Sequence, residues 1–130
     1  MSARFRLRDS RIEGCLVVAV SGDVDLTTAP VLRDHLLDRI ELGERRLMVD
    51  LAEVGFLDST GLSALVVAYH AATETRGALV VARARPPVRR VLEITRLDVL
   101  LDHHDDLSDA VAAVATAHDS DSSQPSSSTG

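Results

Sequence analysis

The stretch from Leu47 to Ala72, LMVDLAEVGFLDSTGLSALVVAYHAA, constrains the fold more than any other part of the chain. Leu47-Met48-Val49-Asp50-Leu51 is almost wholly apolar and reads as a buried strand. A short loop with Gly55 and the apolar pair Phe56-Leu57 follows. Asp58-Ser59-Thr60-Gly61 then leads into apolar positions at Leu62, Leu65, Val66, Tyr69 and Ala72, the spacing of a helix with one buried face. Asp58 or Ser59 is placed to cap that helix. A helix N-terminus offers free N–H groups and partial positive charge, so a hydroxyl there stands where an anion is tolerated.

The flanking segments repeat this logic. Arg4 to Arg8 alternates, with Phe5 and Leu7 on one side, and reads as a half-buried edge strand. Asp9 to Gly14 reads as a turn, and Cys15 to Ser21 as a strand covered on both faces and antiparallel to the first. Gly22-Asp23-Val24-Asp25 ends that strand. A helix follows, with Thr28 as N-cap, Pro30 in the first turn, Leu32, Leu36 and Ile40 inward, and Gly43 as its close. Arg46 to Leu51 is the central strand. Gly77 closes the next helix, Ala78 to Ala82 is a further buried strand, and Pro86-Pro87 opens a third helix with Val88, Val91, Leu92 and Thr95 inward. Leu97 to His103 is expected to be a small final strand, and Asp106 to cap a last helix lined by Leu107, Ala110, Val111 and Val114. Strands alternating with helices imply an α/β domain with a mostly parallel sheet. Sites in such sheets gather beyond the carboxyl ends of the strands, where Asp23, Asp25 and the Asp58-Ser59 turn all fall.

Composition narrows the function. One domain is expected from 130 residues, over about 1–118, followed by a polar Ser-rich tail over 119–130 that has too little to bury to order itself. The single cysteine, Cys15, allows no internal disulfide and reads as an inert core thiol. The net charge of −6 disfavours nucleic acid as a partner. All 14 basic residues are arginine, so chemistry that needs a lysine amine is absent. No signal-peptide pattern or membrane-length apolar run is present, and a cytoplasmic location is expected.

Several clusters could carry chemistry. Asp58-Ser59-Thr60-Gly61 is either a plain helix cap or an acceptor site, with Thr60 as a second hydroxyl. It lacks the G-x-S-x-G pattern of a hydrolase nucleophile, and no motif sets a histidine beside Ser59. Asp23 and Asp25 could hold a cation but more often cap the next helix. His103-His104 lacks metal-ligand spacing, and no metal site or cofactor is expected. His35 and His70 fall outside the apolar stripes. Arg83, Arg85, Arg89, Arg90 and Arg96 could bind an acidic partner or simply form a solvated face. Asp50 at a strand end would suit a receiver domain, but the lysine such domains use is missing.

At these residues the chain resembles the STAS domain family, specifically bacterial anti-sigma factor antagonists. Gly22-Asp23-Val24-Asp25 is similar to that family's G-[DE]-[VL]-D turn. Val49-Asp50-Leu51 with Phe56-Leu57-Asp58-Ser59-Thr60-Gly61-Leu62 resembles its signature strand and phosphorylation turn, and Pro87-Val88-Arg89-Arg90-Val91-Leu92 its third helix. Arg96 departs from it, standing where the family often has glycine. The resemblance implies a single domain with a four- to five-stranded mixed sheet, about four helices and no enzymatic activity. It implies that the unmodified protein binds an anti-sigma factor that is also a serine kinase, which frees the sigma factor. Phosphorylation of Ser59 would then end binding, and a metal-dependent serine phosphatase would reset it. Asp25 and Asp58 match the acidic positions beside the acceptor; Asp23, Thr60 and Gly61 complete its expected surroundings. The alternative is a STAS interaction module of a transport or signalling assembly that is never phosphorylated.

Overall fold

A computed structural model describes residues 4–115. The expected tail over 119–130 lies outside them. The chain opens with two strands, β1 (Arg6–Ile12) and β2 (Cys15–Val24), joined by a two-residue turn. Glu13 and Gly14 both take positive φ, 51° and 82°, as a tight turn matched to strand twist requires. Then come α1 (Ala29–Glu41), β3 (Arg46–Leu57), α2 (Ser59–Glu74), β4 (Ala78–Ala82), α3 (Pro86–Ile94) and α4 (Leu97–Leu100). A fifth helix, α5, begins at residue 107 and runs to the end of the described residues.

The sheet order is β1-β2-β3-β4, with β1 antiparallel to β2 and the other pairings parallel. Side chains alternate across its strands, so each strand feeds two cores. Leu16, Val18 and Val20 of β2, Leu47, Val49 and Leu51 of β3, and Leu79 and Val81 of β4 share one core with Leu32 and Leu36 of α1, Leu65 and Ala68 of α2, and Val88 and Leu92 of α3. On the other face Cys15, Val17, Met48, Val80 and Ala82 pack against Ala110, Val111 and Val114 of α5. This double coverage explains the unbroken apolar runs of β2 and β4. Burial also pushes the Cys15 thiol up to about 11, which keeps it protonated and inert.

The structure corrects several boundaries. β1 runs to Ile12 where a turn over Asp9–Gly14 was expected, because Asp9 on the helix-facing side meets His35 Nε2 (2.8 Å) and Arg39 Nε (2.7 Å) of α1. β3 continues to Leu57 where a loop through Gly55 was expected; it stays paired with β2 through two register irregularities. The α2 helix closes at Thr75, with Arg76 in the left-handed region, rather than at Gly77. Gly77 matters for another reason: a Cβ there would lie 2.6 Å from Arg45 O. The strand expected over Leu97–His103 is instead the short helix α4, entered through Arg96 at φ 65°. Only His104 makes a strand-like bridge, to Ala82.

Two charged residues brace the C-terminal half of the sheet. Asp50 is only 6% exposed, and Arg83 donates to both its oxygens, Nε at 3.1 Å and Nη2 at 2.6 Å. Asp50 is thus committed to an ion pair. Of the basic run, Arg85 donates to Ala52 O and Arg89 pairs with Asp105 and Glu93. Much of that run is structural.

Candidate functional site

The parallel pairing of β2 with β3 brings their carboxyl ends together, with Val24 opposite Leu57. The chain leaves these neighbouring points into two helices. Asp25 follows Val24, Asp58 follows Leu57, and the Asp58 N–H donates to Val24 O at 3.2 Å. Both aspartates lie at one corner of the sheet edge because the register puts them there.

Each aspartate organises the turn after it. Asp58 is the N-cap of α2, in extended conformation, and accepts from Thr60 N (3.0 Å), Gly61 N (3.2 Å) and the Thr60 hydroxyl. Its backbone carbonyl takes the Leu62 N–H at 3.0 Å. Asp25 accepts from Thr27 N (3.0 Å), the Thr27 hydroxyl (2.8 Å) and Thr28 N (3.2 Å). The residue at the N-cap of α1 is Thr28, yet its side chain does not cap the helix; its hydroxyl donates to Asp23 O at 2.8 Å. The Thr60 hydroxyl, then the N–H groups of Gly61 and Thr60, hold the Asp58 carboxyl below its usual range, against slight burial and the nearby charge of Asp25. Asp25 is held low chiefly by the Thr27 hydroxyl and the Thr28 N–H. Both are ionised at neutral pH.

Ser59 is the first residue of α2 and is exposed, while Thr60 is half-buried with its hydroxyl on Asp58. The two hydroxyls are therefore unequal: Thr60 is engaged locally and Ser59 faces outward. Gly61 is buried, and a Cβ on it would lie 2.7 Å from Leu57 Cδ1 and 2.8 Å from Val24 Cγ1. That close approach seats the first turn of α2 on the strand ends. Asp23 belongs to the opposite side of β2 from Val24, with its carboxylate near Gly55, so the structure groups Asp25, Asp58, Ser59 and Thr60 and sets Asp23 apart.

A groove of about 330 Å³ opens beside Ser59, between the start of α2 and the start of α1. Ser59, Ser63 and Val67 line one wall; Leu26, Pro30 and Arg33 line the other. Leu26 is 72% exposed, and Val67 and Phe56 are also exposed apolar residues. Sequence reading assigned no role to Leu26, Arg33 or Val67, because they fall off the buried stripes and resemble ordinary surface positions. An apolar residue at the wrong helical phase, as at Val67, was the available signal.

A family model described as the STAS domain matches residues 7–110. The chain is a STAS domain. It is 31% identical over 90 residues to the anti-sigma-B factor antagonist of Bacillus subtilis, covering 69% of this chain and 82% of that protein. It is 30% identical over 91 residues to Bordetella bronchiseptica BtrV, covering 70% and 78%. Among solved structures, an anti-sigma factor antagonist from Mycobacterium paratuberculosis superposes with a TM-score of 0.79 at 32% identity, covering 88% of this chain and 99% of that one. The chain belongs to the anti-sigma factor antagonists of the STAS family, which are regulators rather than enzymes. Among the described residues no helix is long and apolar enough to cross a membrane.

Proposed function

We propose that the chain is a partner-switching anti-sigma factor antagonist whose switch is Ser59. In this reading the unmodified protein binds an anti-sigma factor that is also a serine kinase, and the sigma factor is freed. The kinase transfers phosphate to Ser59, the complex separates, and a serine phosphatase restores the binding form.

The observation that carries the reading is the position of the Ser59 hydroxyl. It is exposed on the rim of an apolar groove, directly after the capping Asp58 and beside Asp25. A partner seated on Leu26 and Val67 would lie against it. Phosphorylation adds about −1.5 to −2 charges. Two donors at the helix start, the N–H groups of Thr60 and Gly61, already serve Asp58 and are not free for the phosphate. The new charge therefore joins two carboxylates. A partner acid within about 6 Å would cost roughly 3 kcal/mol per unit charge pair at an effective dielectric near 20, about a hundredfold in affinity.

The test is incubation of the purified protein with candidate cognate kinases and ATP, site mapping by mass spectrometry, and titration of each variant against the kinase. Ser59→Ala is expected to abolish phosphorylation and keep binding. Ser59→Asp is expected to weaken binding, less than phosphate does because it brings one charge. Thr60→Ala is expected to leave phosphorylation largely intact. Phosphate on Thr60 would make the site wrong. A chain that binds its partner but is modified by no kinase would establish the non-phosphorylated interaction module instead.

A further inference from the structure

We propose that Arg33 of α1 is the internal receptor for the phosphate on Ser59, so that the modified side chain is drawn across the groove and closes it. The proposal rests on the phosphoacceptor reading of Ser59 and adds what the phosphate does once attached.

Three observations meet here. Arg33 is the one charged residue lining the groove that Ser59 borders. Two of the N–H groups at the helix start are already taken, because Asp58 accepts from Thr60 N and Gly61 N as well as from the Thr60 hydroxyl. A phosphate on Ser59 therefore stands beside the carboxylate of Asp58, with Asp25 at the same corner, and faces the cation Arg33 across the groove. Third, the guanidinium of Arg33 is free to change partners: it meets Asp34 through Nε alone at 3.1 Å, and both side chains are well exposed. Such an exposed pair is worth little. A dianionic phosphate offers a stronger, bidentate acceptor to the same fork of donors.

The consequence is steric as well as electrostatic. A phosphate pulled toward Arg33 sits between Leu26 and Val67 and places a hydrated ion pair over the apolar surface of the groove. A partner that seats apolar groups there would have to desolvate that pair to return. Release then does not depend on an acid in the partner.

The experiment removes the kinase from the question. Phosphoserine is installed at position 59 during translation of the full chain, and its ³¹P resonance is titrated through the second ionisation of the phosphate, near pH 6 in free phosphoserine. The charged groups around it are Asp25 and Asp58, which raise that value, and Arg33, itself beside Asp34, which lowers it. Comparison with R33Q and R33K on the same phosphorylated background isolates the arginine. The expected result is a midpoint in the wild type lower than in R33Q by about half a unit or more, with R33K between them. Coincident curves for wild type and R33Q would overturn the proposal. Arg33 is a partly exposed helix residue, and far-UV circular dichroism checks that each variant is folded. Because the phosphate is built in, a negative result condemns the Arg33 pairing alone, whereas failure of every kinase to modify Ser59 condemns the acceptor reading.

Discussion

At the scale of single residues, the site is held by groups that fail in different ways when changed. Gly61 shows a contest of two effects. Glycine to alanine inside a helix ordinarily gains about 1 kcal/mol. Here the added Cβ would stand 2.7 Å from Leu57 Cδ1 and 2.8 Å from Val24 Cγ1. Both neighbours are buried strand side chains, and valine is stiff about χ1. Overpacking of this kind costs about 1–3 kcal/mol, so Gly61→Ala is expected to destabilise by about 1 kcal/mol, read as a lower urea midpoint. Asp58→Ala removes the cap from Thr60 and Gly61 and is expected to cost about 1 kcal/mol. It also removes a carboxylate beside Ser59, so it separates two roles in one residue. The stability loss appears in urea melts, and the charge effect appears as an altered affinity of the phosphorylated protein for its partner. The sequence made Asp58, Ser59 and Asp25 visible because caps and turns have composition. It did not make the opposite wall of the groove visible, since the exposure of Leu26 and the placement of Arg33 are set by the docking of α1 against α2.

Elements were legible where their pattern is local. β4 runs over Ala78–Ala82 as its apolar run indicates, and α2 starts at Ser59 as its cap requires. The errors share one cause: tertiary partners satisfied groups that look like loop. Asp9 in β1 pairs with His35 and Arg39, so an apparent turn is strand. Its carboxyl is held low although burial pulls the other way, because hydrogen bonds from Arg39 and His35 outweigh that. Leu97 to Leu100 looked apolar enough for a strand, but the left-handed step at Arg96 turns the chain into a helical turn against α3. Asp50 shows the same principle inside an element. A carboxylate in the middle of a buried strand is held by Arg83, which grips both its oxygens, and by the Ala52 N–H at 3.1 Å. Arg83→Ala is expected to cost about 3 kcal/mol by leaving Asp50 buried and unpaired. The double variant Asp50→Ala/Arg83→Ala is expected to cost less than Arg83→Ala alone, because the stranded charge is gone. Urea unfolding of the three variants tests this, and additive losses would contradict it.

For the whole molecule, the groups perturbed in the acid range all point to the same direction of pH dependence, through two separate windows. His103 sits between β4 and α4, where its Nε2 accepts the Ala84 N–H at 3.1 Å. Burial, aided by the charge of Arg89, pushes its pKa below the ordinary 6.5. The folded protein therefore keeps His103 neutral, and that contribution to stability is whole above about pH 6.5. It falls away as pH drops toward the lower folded value, because the unfolded chain takes up the proton first. Asp9, Asp25 and Asp58 all have folded values below 3.8. Their contributions are present above that value and are lost as pH falls through the folded ones. Stability is thus expected to decline in two steps, one beginning below about pH 6.5 and one below about pH 4. His103→Gln separates them. Its amide oxygen accepts the Ala84 N–H without titrating, so the variant should keep near-wild-type stability at pH 7.5 and lose the upper step while retaining the lower. Melting temperatures of both proteins across the acid range measure this. An upper step of equal size in His103→Gln would assign it to another group. A lower step that vanished together with the upper one would show that the two corners of the sheet, the β4–α4 junction and the Asp25–Asp58 turn, are coupled rather than independent.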